Sequence, residues 1–394
     1  MGRVRQPTVV SRRSLLAHRY TRLPMRAAVL PRPGQPVVIE DLELDPPGPA
    51  EVRIRMLASG VCHSDLHVRD GEWDRTGPIV MGHEGAGVIE TLGPGVDGSA
   101  TGLEPGRLVA LSWMVPCGVC RSCRAGRSWA CANSPSFGYG RDATGRTRAH
   151  RADGSDVLAY LSIGTMAEAQ VVLAAAAIPM PDGVPAEVAA LIGCCVATGV
   201  GAVIKTAEVP AGASVAVIGL GGVGLSVVMG ARLAGAGRIV AVDRVAAKLE
   251  RAAELGATHG VLADADPGIT VAAIRSATDG GPDFAIEAIG RPATVELAID
   301  SLPPGGTAVL VGLTPLDERA SFDVYRFVDG GRRILGSNYG STVAAVDFPR
   351  YAEHYLAGRL PIERLIDRRI GLDGVEAAFD RMRRGEGLRS VIAF

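Results

Sequence analysis

Cys117, Cys120, Cys123 and Cys131 are spaced C-x2-C-x2-C-x7-C. Four thiolates packed this closely suit tetrahedral all-cysteine coordination of a zinc ion. The protein then fills every position on the metal and leaves none for a substrate, so this ion would hold structure. An iron–sulfur cluster also accepts four cysteines, but bacterial ferredoxins carry a proline after the last one and a different spacing to the fourth. A nucleic-acid-binding zinc ribbon is a third reading. Against it, Arg121, Arg124 and Arg127 read more simply as a solvated face.

A second set of donors is scattered. Gly60-Val-Cys62-His63-Ser64-Asp65-Leu66-His67 precedes Gly82-His83-Glu84-Gly-Ala-Gly87, and Gly193-Cys194-Cys195-Val-Ala-Thr198-Gly199 follows much later. Two thiolates and one imidazole with a fourth position open describe a reactive zinc site. Such an ion makes a bound hydroxyl acidic near neutral pH. Taken singly, each of these residues reads more readily as part of a core. Their company with the four-cysteine lobe and with the next motif gives them weight.

That motif is Ser214-Val-Ala-Val-Ile-Gly219-Leu-Gly221-Gly222-Val223-Gly224, a strand running into a glycine-rich turn and then a helix. Gly219 suits the tight turn, Gly221 the close approach of a pyrophosphate, and Gly224 the packing of helix on strand; the helix N-terminus faces the phosphates. Asp243 ends the next strand, 19 residues beyond Gly224. A carboxylate there accepts hydrogen bonds from the adenosine ribose and repels a 2′-phosphate, favouring NAD over NADP; Arg244 beside it softens the preference.

These residues need two kinds of scaffold. From residue 25 to about 115 the pattern predicts short strands at 27–30, 37–42, 52–58 and 87–92 between Gly/Pro turns. The polar stretch 141–156 reads as a surface loop. From about 196, strands at 214–219, 238–243, 283–287 and 308–312 alternate with helices at 223–234, 246–255 and 292–301. Alternation of this kind predicts a doubly wound parallel sheet with helices on both faces, an α/β fold. Helices at 348–357 and 375–384 and a strand at 389–394 complete the chain. The division expected is 25–195 with 340–394 for the zinc-binding catalytic domain and 196–339 for the NAD-binding domain. Residues 1–24 carry six arginines, no acid and no continuous apolar stretch, and read as a flexible extension.

The bulk properties exclude several classes. A net charge of −1 gives no basic field for nucleic acid or an anionic membrane. No uninterrupted apolar run reaches the roughly 20 residues of a membrane span. Seven cysteines, an odd number, clustered as above, read as metal sites in a reducing compartment, hence a cytoplasmic protein.

With GHEGAG at 82–87, the cysteine lobe, GLGGVG at 219–224 and the ending Gly387-Leu-Arg389-Ser-Val-Ile, the chain resembles the zinc-containing medium-chain alcohol dehydrogenases from about residue 25 onward. The resemblance implies a mostly β, GroES-like catalytic domain beside the Rossmann domain. It also implies NAD, two zinc ions per subunit, and a homodimer or homotetramer. Cys62, His83 and Cys194 match the catalytic zinc ligands, Glu84 the carboxylate close behind the metal, and Asp65 the carboxylate that orients His83. Ser64 and His67 match the relay that carries the alcohol's proton to solvent. His63 and Arg389 match cationic groups on the pyrophosphate, Thr198 and Val223 residues against the nicotinamide, and Lys248 one that reaches the adenosine ribose. Trp73, Trp113, Tyr160 and Leu161 match positions lining the substrate pocket, and bulky aromatics there point to an aryl or medium-chain alcohol.

The implied reaction is reversible oxidation of a primary alcohol to an aldehyde, through a zinc alkoxide and hydride transfer to NAD. Within the family the chain looks nearest to the formaldehyde/thiol-adduct and bacterial primary-alcohol branch. Glutathione-dependent members carry an Arg after the last lobe cysteine, where this chain has Ala132-Asn-Ser-Pro135. An S-(hydroxymethyl)mycothiol-type adduct remains an alternative substrate, and a non-catalytic NAD-binding zinc protein an alternative of another class. Cys195 is expected to point away from the metal, by strand alternation, as a buried spectator thiol.

Overall fold

The computed structural model describes residues 22–73, 76–141 and 145–394. The extension expected at 1–24 therefore lies outside the described residues except at its end. There the strand Leu23–Leu30 has already begun, pairing Leu23 with Leu44, and Arg22 bonds Asp45 and Glu43.

The first half of the chain builds two β-layers. Leu23–Leu30, Val38–Leu44, Ala149–His150, Asp156–Ala159 and Ile79–Val80 close into a small barrel. The stretch 141–156 is thus not wholly a loop. Its polar composition misleads because His150 in its short strand has one ring nitrogen 2.9 Å from Asp45 and the other 3.0 Å from Asp156. A seven-stranded sheet centres on Glu51–Gly60, flanked by Glu84–Leu92 on one side and Arg389–Ala393 on the other. The C-terminal strand pairs antiparallel with the end of Glu51–Gly60, Val391 opposite Gly60, which carries Arg389 next to Cys62.

The second layer system is a six-stranded parallel sheet. Its order is His259–Leu262, Arg238–Asp243, Ser214–Ile218, Phe284–Glu287, Thr307–Leu310 and Arg333–Gly336. The strand order reverses beside Ser214–Ile218, and a crevice opens at the carboxyl ends of the strands there. Gly219 lies at that point. The outer strand His259–Leu262 buries only Val261, so it carries no apolar run to betray it in the sequence.

Between the two systems runs the apolar helical segment Ala186–Thr206. It is long and apolar enough to cross a membrane by length and composition, although Gly and Thr interrupt its apolar run, and 83% of its most apolar window is buried inside the fold. It crosses the expected domain boundary at 195/196 without a break, and it includes two π-helical stretches, Ile192–Val196 and Ala202–Thr206. At Gly199 the segment crosses the helix Gly222–Leu233 so closely that an added Cβ would lie 2.4 Å from the Val223 carbonyl oxygen and 2.5 Å from the Ser226 Cβ. Gly199→Ala is therefore expected to force the two helices apart. Overpacking of this kind costs roughly 1–3 kcal/mol, to be read as a lower denaturation midpoint in urea with an unchanged slope.

Candidate active site

The site is assembled where strand ends, two turns and the long apolar segment converge. Cys62 follows the strand Glu51–Gly60 and caps the helix His63–Asp70. His83 sits in the turn before Glu84–Leu92, and Cys194 in the π-helical stretch Ile192–Val196. Single π-turns of this kind are frequent at functional sites, because the extra residue re-aims the side chains around it.

Asp65 joins two of these pieces. One carboxylate oxygen accepts the Cys62 backbone N–H at 3.1 Å; the other accepts the Gly82 N–H at 3.2 Å and lies 3.1 Å from His83 Nδ1. It is fully buried. With Nδ1 donating to Asp65, His83 Nε2 is left as a donor atom to the centre, 3.4 Å from Cys194 Sγ. The ligand atoms of Cys62, His83, Glu84 and Cys194 all lie within 4.8 Å of one another, and all four residues are buried.

The electrostatics of this cluster call for a cation. The Cys62 thiol is driven well below the usual range because it accepts a hydrogen bond from Cys194, with Arg389 and His83 adding to the effect against burial. Burial pushes Glu84 up to about 7, and neither of its oxygens has a hydrogen-bond partner among the described residues. The Arg389 Nη2 is 3.2 Å from Glu84 and 3.7 Å from Cys62 Sγ. One guanidinium thus faces the Cys62 thiol and the Glu84 carboxyl group in a closed space. Two sulfurs, one imidazole nitrogen and an unsatisfied carboxylate are a donor set suited to a divalent zinc-like ion.

The lobe meets the same test differently. Cys117 and Cys123 sulfurs are 4.0 Å apart, and Cys120 and Cys131 sulfurs 3.9 Å. Tetrahedral bonds of about 2.3 Å to one zinc ion imply edges of about 3.8 Å, whereas a disulfide needs about 2.0 Å. Backbone N–H groups of Val119 and Cys120 lower the Cys117 thiol to about 6, while burial and the neighbouring thiols raise Cys123.

The other expected site residues fall around these centres. Ser64 and His67 stand one turn apart on one face of the helix His63–Asp70. His63 opens onto the cleft but is crowded by protein, which pushes its imidazole down to about 4. Arg389 lies between the metal donors and the phosphate turn. Its Nη1 donates to the Val61 carbonyl at 2.9 Å and its Nη2 faces the metal donors, and only the unpaired Nε lies toward the phosphate turn at Gly222. Asp243 accepts the Leu220 N–H at 2.8 Å and the Val245 N–H at 3.0 Å, so it also ties its strand to the glycine turn. Lys248 lies near enough to His63 to disfavour its charge. Thr198 and Val223 flank the helix crossing at Gly199.

Of the aromatic positions, Tyr160 meets His83 edge-on at 5.6 Å, Trp73 stacks on His67 at 4.7 Å, and Trp113 packs on Tyr339 at 4.2 Å. Leu161 has a φ of 48°, a conformation that an ordinary side chain adopts only under constraint. Tyr339, which the sequence did not single out, is buried with its hydroxyl on the Gly193 carbonyl beside Cys194. Cys195 is no part of the donor cluster, as expected, but for a different reason. It lies on a helical stretch, not a strand, and its thiol turns back to the Leu191 carbonyl at 3.6 Å.

Residues 48–182 match the model of the alcohol dehydrogenase GroES-like domain, and residues 222–356 that of the zinc-binding dehydrogenases. The chain is 38% identical over 373 residues to the NDMA-dependent alcohol dehydrogenase of Amycolatopsis methanolica, covering 93% of this chain and 98% of that one. It belongs to the zinc-dependent medium-chain alcohol dehydrogenase family. Among solved structures, an alcohol dehydrogenase zinc-binding domain protein from Burkholderia ambifaria superposes with a TM-score of 0.89 at 37% identity, over 95% of this chain and 99% of that one. The benzyl alcohol dehydrogenase of Acinetobacter calcoaceticus does so with 0.87 at 33%, over 94% and 99%.

Asp65→Asn, which keeps the shape but loses the charge that holds the His83 ring, is expected to weaken metal retention at the reactive centre on the order of 10–100-fold. Metal content after dialysis against graded chelator measures this.

Proposed function

We propose that the chain is an NAD-linked alcohol dehydrogenase that reversibly converts a primary alcohol, aryl or medium-chain, to its aldehyde, with one catalytic and one structural zinc per subunit. The observation that carries the reading is the buried, convergent Cys62–His83–Glu84–Cys194 donor cluster, lying at the start of the helix that bears Ser64 and His67. Zinc held by Cys62, His83 and Cys194 supplies a Lewis acid that makes an alcohol hydroxyl acidic near neutral pH, and NAD over the glycine turn supplies the hydride acceptor.

The chain's own residues do the rest. Asp65 holds the His83 ring and the start of the relay helix in one register. The Ser64 hydroxyl takes the alcohol's proton and His67 delivers it to the mouth of the cleft, because the reaction must shed a proton from a site closed to water. Tyr160, Trp73 and Trp113 give the substrate an apolar, aromatic surround, which accords with a relative named for benzyl alcohol. The Asp243 carboxylate disfavours a 2′-phosphate and so favours NAD. A homo-oligomer fits the exposed apolar side chains Leu313, Leu316, Val324, Tyr325 and Val328 and, among the described residues, the open outer edge of the strand Arg333–Gly336. Seven free cysteines suit a reducing compartment such as the cytoplasm.

A second reading concerns the oxidant. Because one relative covering nearly the whole chain is described as NDMA-dependent, NDMA is the acceptor to test beside NAD.

The deciding experiment presents benzyl and medium-chain alcohols to the zinc-loaded protein with NAD, NADP or NDMA, and formaldehyde with and without a mycothiol-type thiol. Turnover of benzyl alcohol with NAD is expected. Turnover only with the thiol present would transfer the assignment to a thiol adduct, and none with any pair would overturn it. Ser64→Ala should slow alcohol oxidation by about 10²-fold or more. Cys120→Ser should lower bound zinc from two equivalents to one, measured by elemental analysis of the purified chain.

A further inference from the structure

The helix His63–Asp70 ends at Gly71, which adopts a φ of 78° that L side chains rarely take. The chain reverses there, and the N–H groups of Glu72 and Trp73 both donate to the His67 carbonyl, at 2.9 and 3.3 Å. This turn folds both side chains back over the imidazole of the residue whose carbonyl they bind. Trp73 lies on the ring face, nearly parallel at 22°. Glu72 Oε2 lies in the ring edge, 2.5 Å from Nδ1.

From these contacts we propose that Glu72 is a positioning residue for the proton relay, fixing the His67 ring and its tautomer. This rests on the reading of His67 as the relay's outer member. A carboxylate at Nδ1 requires that nitrogen to carry the hydrogen, which leaves Nε2 as the lone-pair acceptor for a proton arriving from the cleft. Trp73 then removes rotation about the ring axis, so the acceptor points one way. The His67 side chain is 14% exposed, shielded yet able to pass the proton outward, while Glu72 is 33% exposed.

Glu72 also has a cation near it from the nucleotide-binding half of the chain. Its Oε1 lies 3.9 Å from Arg291, the residue at the start of the helix Pro292–Ser301 beside the nucleotide crevice, and Arg291 is 3.4 Å from Glu318. Among the described residues, the charged or titratable groups near the relay imidazole include Glu72, Arg291 beyond it, and His63 on its own helix with ring centres 6.4 Å apart.

The test compares Glu72→Gln, Glu72→Asp, His67→Gln and the Glu72→Gln/His67→Gln double variant, each checked for zinc content and thermal midpoint. The first-turnover rate of alcohol oxidation is followed with whichever acceptor supports it. Glu72→Gln should slow that turnover by about 10-fold, since a neighbour that orients a catalytic group is worth about 10–100-fold, with the KM for the alcohol unchanged. Glu72→Asp should recover part of the rate, and Glu72→Gln should add nothing once His67 is gone. Full activity of Glu72→Gln, or a penalty that multiplies with that of His67→Gln, would overturn the proposal while leaving the relay standing. A His67→Gln variant as fast as the parent would remove the relay itself, and the proposal with it.

Discussion

The Asp65 carboxylate is the point on which the site depends. It lies on the first turn of one helix and binds the backbone before that helix, the backbone of a distant turn, and the ring that the turn carries. A buried carboxylate is tolerated only when such partners replace its water. The same three bonds that satisfy it also set the distance between Cys62 and His83. Fold stability and metal geometry are thus one requirement here. The opposite case is Glu84, which is as deeply buried and faces Arg389, but whose oxygens find no hydrogen bond within the described protein. Asp65 completes the scaffold, and Glu84 belongs to the unfinished charge of the centre.

Local spacing made the cysteine lobe and the phosphate turn legible. Cys117, Cys120, Cys123 and Cys131 lie within one short loop, and Gly219 to Gly224 lie between a strand and a helix that both show their apolar pattern. Elements at the margins were harder to read. The strand His259–Leu262 has an exposed face, and Ala149–His150 hides in a polar stretch because its histidine is held by two acids. The long segment Ala186–Thr206 shows no helical period, because it is buried on nearly all sides.

At the site, residue identity travelled better than residue environment. Cys62, His83 and Cys194 come together from three distant stretches, which their motifs suggested but no spacing could show. Crowding lowers the His63 imidazole, and the pairing of the C-terminal strand with Glu51–Gly60 sets Arg389 between the Cys62 thiol and Gly222 of the phosphate turn. Charge state and side-chain direction depend on neighbours that only the folded chain supplies. Cys195 teaches the same lesson, since its orientation follows from a helical path that sequence had read as a strand.

The apolar segment at the centre of the molecule also bears on how the chain is made. It emerges from synthesis before the helix Gly222–Leu233 that covers one side of it, and long before Tyr339, Phe348 and Tyr351, which share its core cluster. Until those residues arrive, the side of this apolar stretch that the earlier strands do not cover stands exposed on an unfinished chain, a species prone to aggregation. Chaperone capture of the nascent polypeptide would act at this segment, and a truncation between it and residue 352 would leave a product that is made but not kept soluble.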